Sequence, residues 1–309
     1  MKRLVSTVGM SREDWLKYRK MGIGGSDAGA ICGLNPYSSA MQVFYDKTSA
    51  VVEDEDKEAM RQGRDLEQYV ADRFMEATGL KVRKANAIFV HENNPFMLAN
   101  VDRLVVGEDA GLECKTVSAY NSDKWKDDSI PEHYQIQCHH YMAVTGAKCW
   151  YIAAVILGIG FVYKKIERDE ELIQYLIHIE TEFWKEHVLK GTMPEPDGSK
   201  ACDEILKKYF PNATKEKQIL LPEFEEKLKR REELVNLMEK MEQEKNSIEQ
   251  EIKLQMRDSE IAVCEKYRIN WSNVVSNRID TKKLKEEEPE VYAKYLSSSK
   301  SRRFQIKVA

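Results

Sequence analysis

Acidic and basic side chains are spaced for metal-dependent chemistry around one short hairpin of the chain. Asp102 begins an apolar run, and Glu113 and Lys115 lie two residues apart in the next apolar run. Residues two apart in a strand share a face, so Glu113 and Lys115 project together while Cys114 offers its carbonyl oxygen beside them. Two carboxylates and a carbonyl are hard oxygen ligands suited to Mg²⁺ or Mn²⁺, and an ammonium can orient or help to deprotonate an attacking water. This equipment is suited to phosphodiester hydrolysis.

The hairpin that would position these residues is predicted from the flanking sequence. Apolar runs at residues 101–106 and 112–117 enclose a short stretch in which Gly107 and Gly111 permit a chain reversal. An exposed hairpin with alternating charges would show the same pattern, and short motifs of this kind often arise by chance. The metal-site interpretation therefore needs support from other segments.

Two predicted helices each turn one polar side chain toward the interior. Glu67 lies on the apolar stripe of the helix predicted at residues 54–78. Gln137 lies on the apolar stripe of the helix predicted at residues 132–145. A buried carboxylate needs a metal or a cation, and a buried amide needs hydrogen-bond partners. The simpler alternatives are a Glu67 that reaches solvent from the edge of its stripe and a Gln137 that bonds to backbone in the core.

Small residues near the N-terminus predict an anion-binding site. A first helix capped by Ser11 places Arg19 shortly before residues 23–33, which are rich in glycine and alanine. A second helix starting at Ser26 would offer free amide groups, so Arg19, Ser26 and backbone amides could hold a terminal phosphate. The alternative is a glycine-rich helix start that serves packing only. The segment is not a Walker loop, because the Gly-Lys-Ser/Thr ending is absent.

Composition limits the class of protein. Of 309 residues, 42% are hydrophobic and 32% are charged, so the chain can bury a sizeable core. The formal net charge is −4, so nucleic acid would need a local basic surface or metal ions. The six cysteines contain no Cys-x-x-Cys pair, which argues against a zinc ribbon or an iron–sulfur cluster. The longest apolar run is too short for a membrane span and no signal-peptide core is present, so we expect a cytoplasmic protein without a membrane partner.

Helix and strand patterns alternate along the first part of the chain. This alternation predicts an α/β core with a mixed sheet, which we expect to span residues 1–212. Besides the central hairpin, strands are predicted at residues 80–90, 148–156 and 160–166.

A second region is predicted at residues 213–309. Its composition shifts to Glu, Lys, Leu and Met, and a seven-residue apolar pattern predicts a helical arm at about residues 222–257, either a helical hairpin or a short coiled coil. Alternation at residues 261–271 and 304–308 predicts the strands of a small α+β segment. We expect an accessory region with no chemistry of its own.

The motifs occur in an order that is far more specific than any one of them. In chain order they are Trp15-x-x-x-Arg19, Ile-Gly-Gly-Ser-Asp, Gly63-x-x-Leu-Glu67, Asp102, Glu113-x-Lys115 and Gln137-x-x-x-Tyr141. With these motifs, residues 10–165 resemble the YqaJ-type viral recombinase family, which is related to lambda exonuclease within the PD-(D/E)xK nucleases. The resemblance implies a restriction-endonuclease-like fold, with a mixed β-sheet core flanked by helices.

The resemblance also implies a role for each residue of the site. Two Mg²⁺ ions, for which Mn²⁺ could substitute, would be ligated by Glu67, Asp102, Glu113 and the Cys114 carbonyl. Lys115 would position the attacking water, and a glutamine would support it. Gln135 and Gln137 compete for the glutamine role, and Gln137 is preferred because it lies on the inward stripe one turn before a tyrosine.

An end-binding pocket follows from the same resemblance. Arg19 and Ser26 match residues that hold the 5′-phosphate in the lambda enzyme, and Asn100 stands where that enzyme has a serine. Related proteins degrade the 5′-ended strand of linear double-stranded DNA, often as ring-shaped homotrimers, and work with a single-strand annealing protein in phage recombination. The resemblance therefore implies a magnesium-dependent 5′→3′ exonuclease that leaves 3′ overhangs and is encoded by a phage or prophage in a bacterial host cell.

Two other classes of function fit part of the pattern. A structure-specific or restriction-like endonuclease would use the same core, and it would cleave closed circular DNA. A non-catalytic nucleic-acid or protein-binding module would leave the carboxylates structural and use the helical arm for partners. The combined carboxylates argue against the binding module, because a surface that binds phosphates has little reason to collect buried negative charge.

Overall fold

The structure, a computed structural model, describes residues 1–50, 57–214 and 218–307. The chain divides into two compact units, which we call the core unit, Met1–Phe210, and the C-terminal unit, Pro211–Ala309. The core unit contains every residue that the sequence predicts for the site.

The core unit alternates helices and strands along the chain. Its first elements are β1 (Lys2–Ser6), α1 (Arg12–Lys20), α2 (Gly25–Ile31), α3 (Ala40–Thr48), α4 (Glu58–Thr78), β2 (Val82–Lys84), β3 (Ala87–Val90) and β4 (Leu98–Asn100). The next are β5 (Arg103–Val105), β6 (Ala110–Val117), α5 (Glu132–Thr145), β7 (Cys149–Ile156), β8 (Gly160–Glu167), α6 (Glu170–Glu182) and α7 (Lys200–Tyr209). A 3₁₀ segment (Ala119–Trp125) follows β6, and a π-helical segment (Phe183–Leu189) continues α6.

A mixed sheet forms the centre of the core unit. Over the described residues its strand order is β2-β5-β6-β7-β8. The β6–β7 pair is parallel, with Glu113 opposite Ile152 and Lys115 opposite Ala154, and the other pairs are antiparallel. Strands β1, β3 and β4 form a second, antiparallel sheet. The predicted α/β fold with a mixed sheet flanked by helices is confirmed.

Helices cover the two faces of the mixed sheet. Val70 and Phe74 of α4 pack against Leu112 and its neighbours on one face, whereas α5 packs on the other face around Trp150. Gly111 is required here, because a methyl group at that position would lie 2.2 Å from the Trp150 ring. Apolar residues on the two faces of β6 therefore fix which side chains of the strand point toward α5.

Local signals predicted several boundaries correctly. Ser11 caps α1 by accepting a hydrogen bond from the Asp14 amide, and Gly146 ends α5 in the left-handed conformation at φ 76°. The predicted central hairpin is present as β5 and β6. The predicted helix at residues 54–78 is described only from α4 onward, because residues 54–56 lie outside the described residues.

One predicted strand is divided in two. Residues 80–90 form β2 and β3, which belong to different sheets. Asn86 lies between them with φ 50°, a left-handed conformation that an extended strand cannot contain. The alternating pattern was correct for each half, but it did not reveal the break.

The C-terminal unit is dominated by one long helix. Its elements are a 3₁₀ turn (Pro222–Phe224), α8 (Glu225–Met256), β9 (Ile261–Cys264), β10 (Tyr267–Asn270), α9 (Thr281–Glu287) and α10 (Pro289–Tyr295). The arm is thus a single continuous helix rather than a helical hairpin. The stretch at residues 261–271 has strand character as predicted, but it forms two strands, β9 and β10, which pair with each other. Residues 304–307 form no strand, and residue 308 lies outside the described residues. Among the described residues, no helix combines the length and apolar character needed to cross a membrane.

A buried charged pair ties α5 to α6 and to the strand that leads into the site. His140 Nδ1 lies 2.8 Å from Glu180 Oε1, and His140 Nε2 lies 2.9 Å from the carbonyl oxygen of Leu98. Because a carbonyl can only accept, Nε2 carries a proton, and the second proton is shared between Nδ1 and Glu180. Both side chains are fully buried. The pair therefore anchors β4 two residues before Asn100.

The pair makes stability depend on pH. Burial opposes the charged form of His140, but Glu180 raises the pKa of the ring above its ordinary value. Burial also raises the pKa of Glu180, despite the opposing effect of His140. With both pKa values raised, the folded state binds more protons than the unfolded state near neutral pH. The stabilisation from His140 is therefore full below a pH of about 6.5 and that from Glu180 below a pH of about 4.5, and both are lost as the pH rises.

We expect Glu180→Gln to lower the free energy of unfolding by about 3 kcal/mol at pH 6, because it leaves a buried imidazole without its charged partner. The difference from the native protein should shrink at pH 9, because the native pair loses its proton as the pH rises. Urea unfolding at both pH values measures this, and a difference that is equal at the two pH values would contradict it.

Candidate active site

The hairpin brings the first three candidate residues together. The Cys114 amide donates a hydrogen bond of 2.8 Å to Asp102 Oδ2, which fixes the carboxylate against β6. Lys115 Nζ lies 2.6 Å from Glu113 Oε1, so these two side chains share a face of β6 as predicted. The Cys114 side chain packs on the opposite face with the α4 cluster. The direction of the Cys114 carbonyl as a metal ligand stays a prediction.

Helix α5 supplies Gln137 to the same cluster. Its amide nitrogen donates to Glu113 Oε1 at 2.8 Å and to the Tyr141 hydroxyl at 2.8 Å, and its amide oxygen accepts from Lys115 Nζ at 3.1 Å. Gln135 instead donates to the carbonyl of Ile130. Of the two competing glutamines, the structure therefore brings Gln137 to Glu113 and Lys115.

A glycine in α2 makes room for this arrangement. A methyl group at Gly25 would lie 2.6 Å from Tyr141 Cε1 and 2.9 Å from Gln137 Cγ. The small residues of α2 therefore allow it to lie directly against α5 at the height of the site. The close packing expected for this segment is present.

Burial and neighbouring charges shift the pKa values of Asp102 and Lys115. Loss of solvation raises the pKa of Asp102 well above its usual range, and the neighbouring Glu113 and Glu67 raise it further. Burial opposes the charge on Lys115, yet Glu113 outweighs it and raises the pKa of the ammonium. Lys115 is therefore a cation at neutral pH, and this one cation would not balance both nearby carboxylates if Asp102 were ionised as well as Glu113.

The donor set fits a divalent cation. Within the described residues, Glu113 Oε2 is buried and has no hydrogen-bond partner. An unpaired buried carboxylate oxygen beside a second carboxylate is costly unless a cation satisfies both. Carboxylate oxygens are the ligands that Mg²⁺ and Mn²⁺ prefer, so Asp102 and Glu113 are the residues that would hold such an ion.

Glu67 is placed differently from the expectation that three acidic side chains converge on the metal. Its carboxylate pairs with Arg103, a buried side chain that also bonds to Gln68 and to the Asp102 carbonyl. Across the described residues, no three His, Cys, Asp or Glu side chains are arranged to hold a metal ion. The physical reason is that Arg103 supplies the cation that a partly buried Glu67 needs.

The apolar stripe of α4 is also shorter than predicted. Val70 and Phe74 are buried, but Met60 is 47% exposed. Glu67 lies at the end of the buried part, and its side chain is 29% exposed. The acid therefore stands at the border between core and cleft rather than inside the core.

A cleft of about 740 Å³ runs from the first helix to the carboxylates. Arg19, Glu67, Asn100 and Asp102 all line it. Ser26 is exposed and is not among the described residues that line the cleft. The structure thus joins Arg19 and Asn100 to the acidic site and leaves Ser26 outside it.

A buried carboxylate organises the basic end of the cleft. Asp27 accepts from Lys47 Nζ at 2.7 Å and lies 3.4 Å from Arg19 Nη2, and Lys47 Nζ also donates to the Arg19 carbonyl at 3.0 Å. Burial would raise the pKa of Asp27, but Lys47 and Arg19 outweigh it and hold this pKa far below its usual range. The Arg19 side chain remains 41% exposed toward the cleft. Asp27 therefore contacts the Arg19 guanidinium on one side, and the exposed part of the side chain can contact a ligand in the cleft.

The start of α2, where an anion site is predicted, contains an internal carboxylate. The helix begins at Gly25, and the Gly24 amide already donates to Asp27 Oδ2 at 2.9 Å. The amides of Gly24 and Asp27 are therefore bonded within the segment, and the anion site at this helix start stays a prediction.

The sequence patterns did not identify three residues that pair with charged side chains of this region. Asp27 belongs to the Ile-Gly-Gly-Ser-Asp motif, and Arg103 directly follows Asp102, so both could have been weighed as partners for the charged residues. Lys47 gave no local signal, because its partner lies 20 residues earlier in the chain. Buried cations of this kind are found only when the elements are packed.

Comparisons with known proteins come from sequence and from structure. The family profile described as a YqaJ-like viral recombinase domain matches residues 14–148. The uncharacterized protein YqaJ of Bacillus subtilis (strain 168) is 43% identical over 302 residues, which cover 96% of this chain and 95% of that protein. The match therefore includes the C-terminal unit as well as the core unit.

Solved structures resemble about two thirds of the chain. An alkaline exonuclease from Laribacter hongkongensis, LHK-Exo, aligns with a TM-score of 0.50 and 18% identity over 65% of this chain and 100% of that chain. The same enzyme in complex with dAMP aligns with a TM-score of 0.51 and 20% identity over 64% of this chain and 98% of that chain. At this level of identity, the likeness establishes a shared fold.

Proposed function

Because the chain belongs to the YqaJ-like viral recombinase family, we propose that it is a metal-dependent deoxyribonuclease that degrades linear double-stranded DNA from its ends. The family supports a role in DNA recombination, and the fold shared with alkaline exonucleases supports nuclease chemistry. The observation that carries the proposal is the cluster of Glu113, Lys115 and Gln137 beside Asp102, which lines the cleft.

The residues of the cluster have distinct parts in the proposed hydrolysis. Asp102 and Glu113 would hold Mg²⁺, which would supply an activated water and neutralise charge on the scissile phosphate. Glu67 would join them once released from Arg103, and two ions, with Mn²⁺ as a substitute, are the expected complement. Lys115 Nζ would donate a hydrogen bond to the attacking water. Gln137 would hold the side chains of Lys115 and Glu113 in fixed positions, and its hydrogen bonds to both support this role.

The other end of the cleft would select the end of the DNA. Arg19 lines the same cleft as Asp102, and the Asp27 carboxylate contacts the Arg19 guanidinium and orients it. A guanidinium is well suited to a terminal phosphate, and Asn100 could add an amide hydrogen bond. This arrangement supports recognition of a 5′-phosphate and digestion in the 5′→3′ direction, which would leave 3′ overhangs. Ser26 would contribute only if DNA reached beyond the cleft.

The cleft is basic although the chain is acidic overall. Its described lining has three acidic residues, Asp46, Glu67 and Asp102, and seven basic ones, which are Arg12, Arg19, Lys20, Lys47, Lys57, Arg64 and Lys208. The whole chain, in contrast, has a formal net charge of −4. Such a local concentration of cations is what a phosphate backbone requires. Double-stranded DNA is therefore the substrate that the cleft supports.

We further propose that residues 213–309 are an accessory region, with the exonuclease in residues 1–212. Every charged group of the proposed chemistry lies in the core unit, whereas α8 is long and mostly exposed. In a viral recombinase, the 3′ overhangs would pass to a single-strand annealing protein, and a ring-shaped homotrimer would keep the enzyme on its DNA. Such a protein, of phage or prophage origin, would act in the cytoplasm of its bacterial host.

The direct test uses end-labelled linear duplex and covalently closed circular DNA, each with Mg²⁺ and with a chelator. We expect mononucleotide release from the linear duplex that depends on Mg²⁺, and no cleavage of the circle. Cleavage of the circle would support a restriction-like or structure-specific endonuclease instead. No metal-dependent release from either DNA would favour a binding module and overturn the proposal.

Lys115→Ala should reduce turnover by at least about a hundredfold while DNA binding is retained, because the loss of a positioned charge or proton donor has this scale. Turnover and duplex affinity are measured separately on protein with a native melting temperature. The matched control is Lys165→Ala, which removes an exposed lysine of the same sheet that pairs with Glu167. Turnover near the native value in Lys115→Ala would remove Lys115 from the mechanism.

Arg19→Ala should abolish the preference for 5′-phosphorylated over 5′-hydroxyl duplex ends, because it removes the guanidinium that faces the cleft. The measurement is the ratio of initial rates on the two substrates. Lys17→Ala is the control, since Lys17 lies on the same helix but pairs with Glu13 at the surface. An unchanged ratio in Arg19→Ala would reassign Arg19 to a structural role.

A further inference from the structure

An aromatic ring lies against the active-site ammonium. Lys115 Nζ is 4.4 Å from the centroid of the Tyr134 ring. The same nitrogen donates to Glu113 at 2.6 Å and to Gln137 at 3.1 Å. The ammonium is thus placed among a carboxylate, an amide oxygen and an aromatic face.

The two oxygen atoms orient the ammonium by hydrogen bonds, whereas the ring attracts its charge. A lysine has three donors, and Glu113 and Gln137 accept two of them in fixed directions. The face of an aromatic ring carries negative potential and attracts a cation, most strongly where water is excluded. The Lys115 side chain is only 17% exposed, so the ring acts in a largely dry environment.

The ring is itself held in place by the helix that supplies Gln137. Tyr134, Gln137 and Tyr141 are spaced by three and four residues along α5, so they lie on one face of the helix. The Tyr134 ring packs against Trp125 at 5.8 Å and against His133 at 4.0 Å between centroids. One face of α5 therefore presents both a ring and an amide to the same lysine.

We propose that Tyr134 is a positioning residue of the proposed nuclease, whose ring face holds the Lys115 ammonium against Glu113 and Gln137. This inference rests on the proposed function for the role of Lys115, but the contact itself does not. If Tyr134 served only to fill the core, any apolar side chain of similar size would replace it. If its hydroxyl were the active part, Tyr134→Phe would lose the effect.

A spectroscopic measurement tests the contact without reference to activity. In protein labelled at the lysine ε-carbon, protons above a ring face resonate upfield, and Lys115→Arg identifies the signal. We expect the upfield ε-methylene signal of Lys115 in the native protein and in Tyr134→Phe, and its loss in Tyr134→Leu. A signal at the ordinary lysine position in the native protein would overturn the proposal.

A kinetic series tests the role of the ring at nearly constant shape. Residue 134 is replaced by phenylalanine and by its mono-, di- and trifluorinated analogues, which weaken the negative face of the ring step by step. We expect turnover to fall progressively, by about tenfold over the series, with KM and duplex affinity unchanged. The control is the same series at Phe161, whose ring contacts Arg73 at the edge strand β8.

The outcomes separate the two proposals. Turnover that does not change with fluorination at residue 134, in a protein that digests DNA, would overturn the role of Tyr134 and leave the nuclease intact. Native protein that releases no nucleotide with any divalent ion would overturn the proposed function, and with it the catalytic role of the contact.

Discussion

Negative charge gathered at one end of a cleft is the constraint on which the site depends. Asp102 and Glu113 are brought together by the β5–β6 hairpin, and burial and mutual repulsion raise the pKa of Asp102. Lys115 balances part of this charge, while one oxygen of Glu113 has no partner among the described residues. Such an arrangement lowers the stability of the folded protein while it has no further partner, and a bound divalent cation is the partner that would satisfy it.

The remaining carboxylates of the core unit show how the same problem is solved without a metal. Glu67 pairs with Arg103, Asp27 with Lys47, and Glu180 with His140. In each case a buried or half-buried acid has a cation within contact distance. Glu113 also contacts a cation, Lys115, and its second oxygen is buried without a partner among the described residues, as is one oxygen of Glu180. What sets Glu113 apart is the neighbouring Asp102, which lines the cleft, and this pair of carboxylates supports a metal site there.

Local patterns predicted much of this arrangement, and their limit has a physical reason. The two-residue spacing of Glu113 and Lys115 fixed their common face, and the helical stripe placed Gln137 inward, because both are properties of one element. The partners of Glu67 and Asp27 come from other elements, so their side chains could not be matched before the packing was known. The ion pair between Arg103 and Glu67, which was not predicted, is one such contact between different elements.

Metal binding by the purified protein tests the central claim most directly. Calorimetric titration with Mn²⁺ is predicted to show saturable binding to the native protein and binding weakened by at least about tenfold in Glu113→Gln, which keeps the shape of the side chain but removes its charge. Glu167→Gln, which changes an exposed carboxylate of β8, should bind as the native protein does. Equal binding by the native protein and Glu113→Gln would show that the buried carboxylates do not hold the ion, and it would contradict the account.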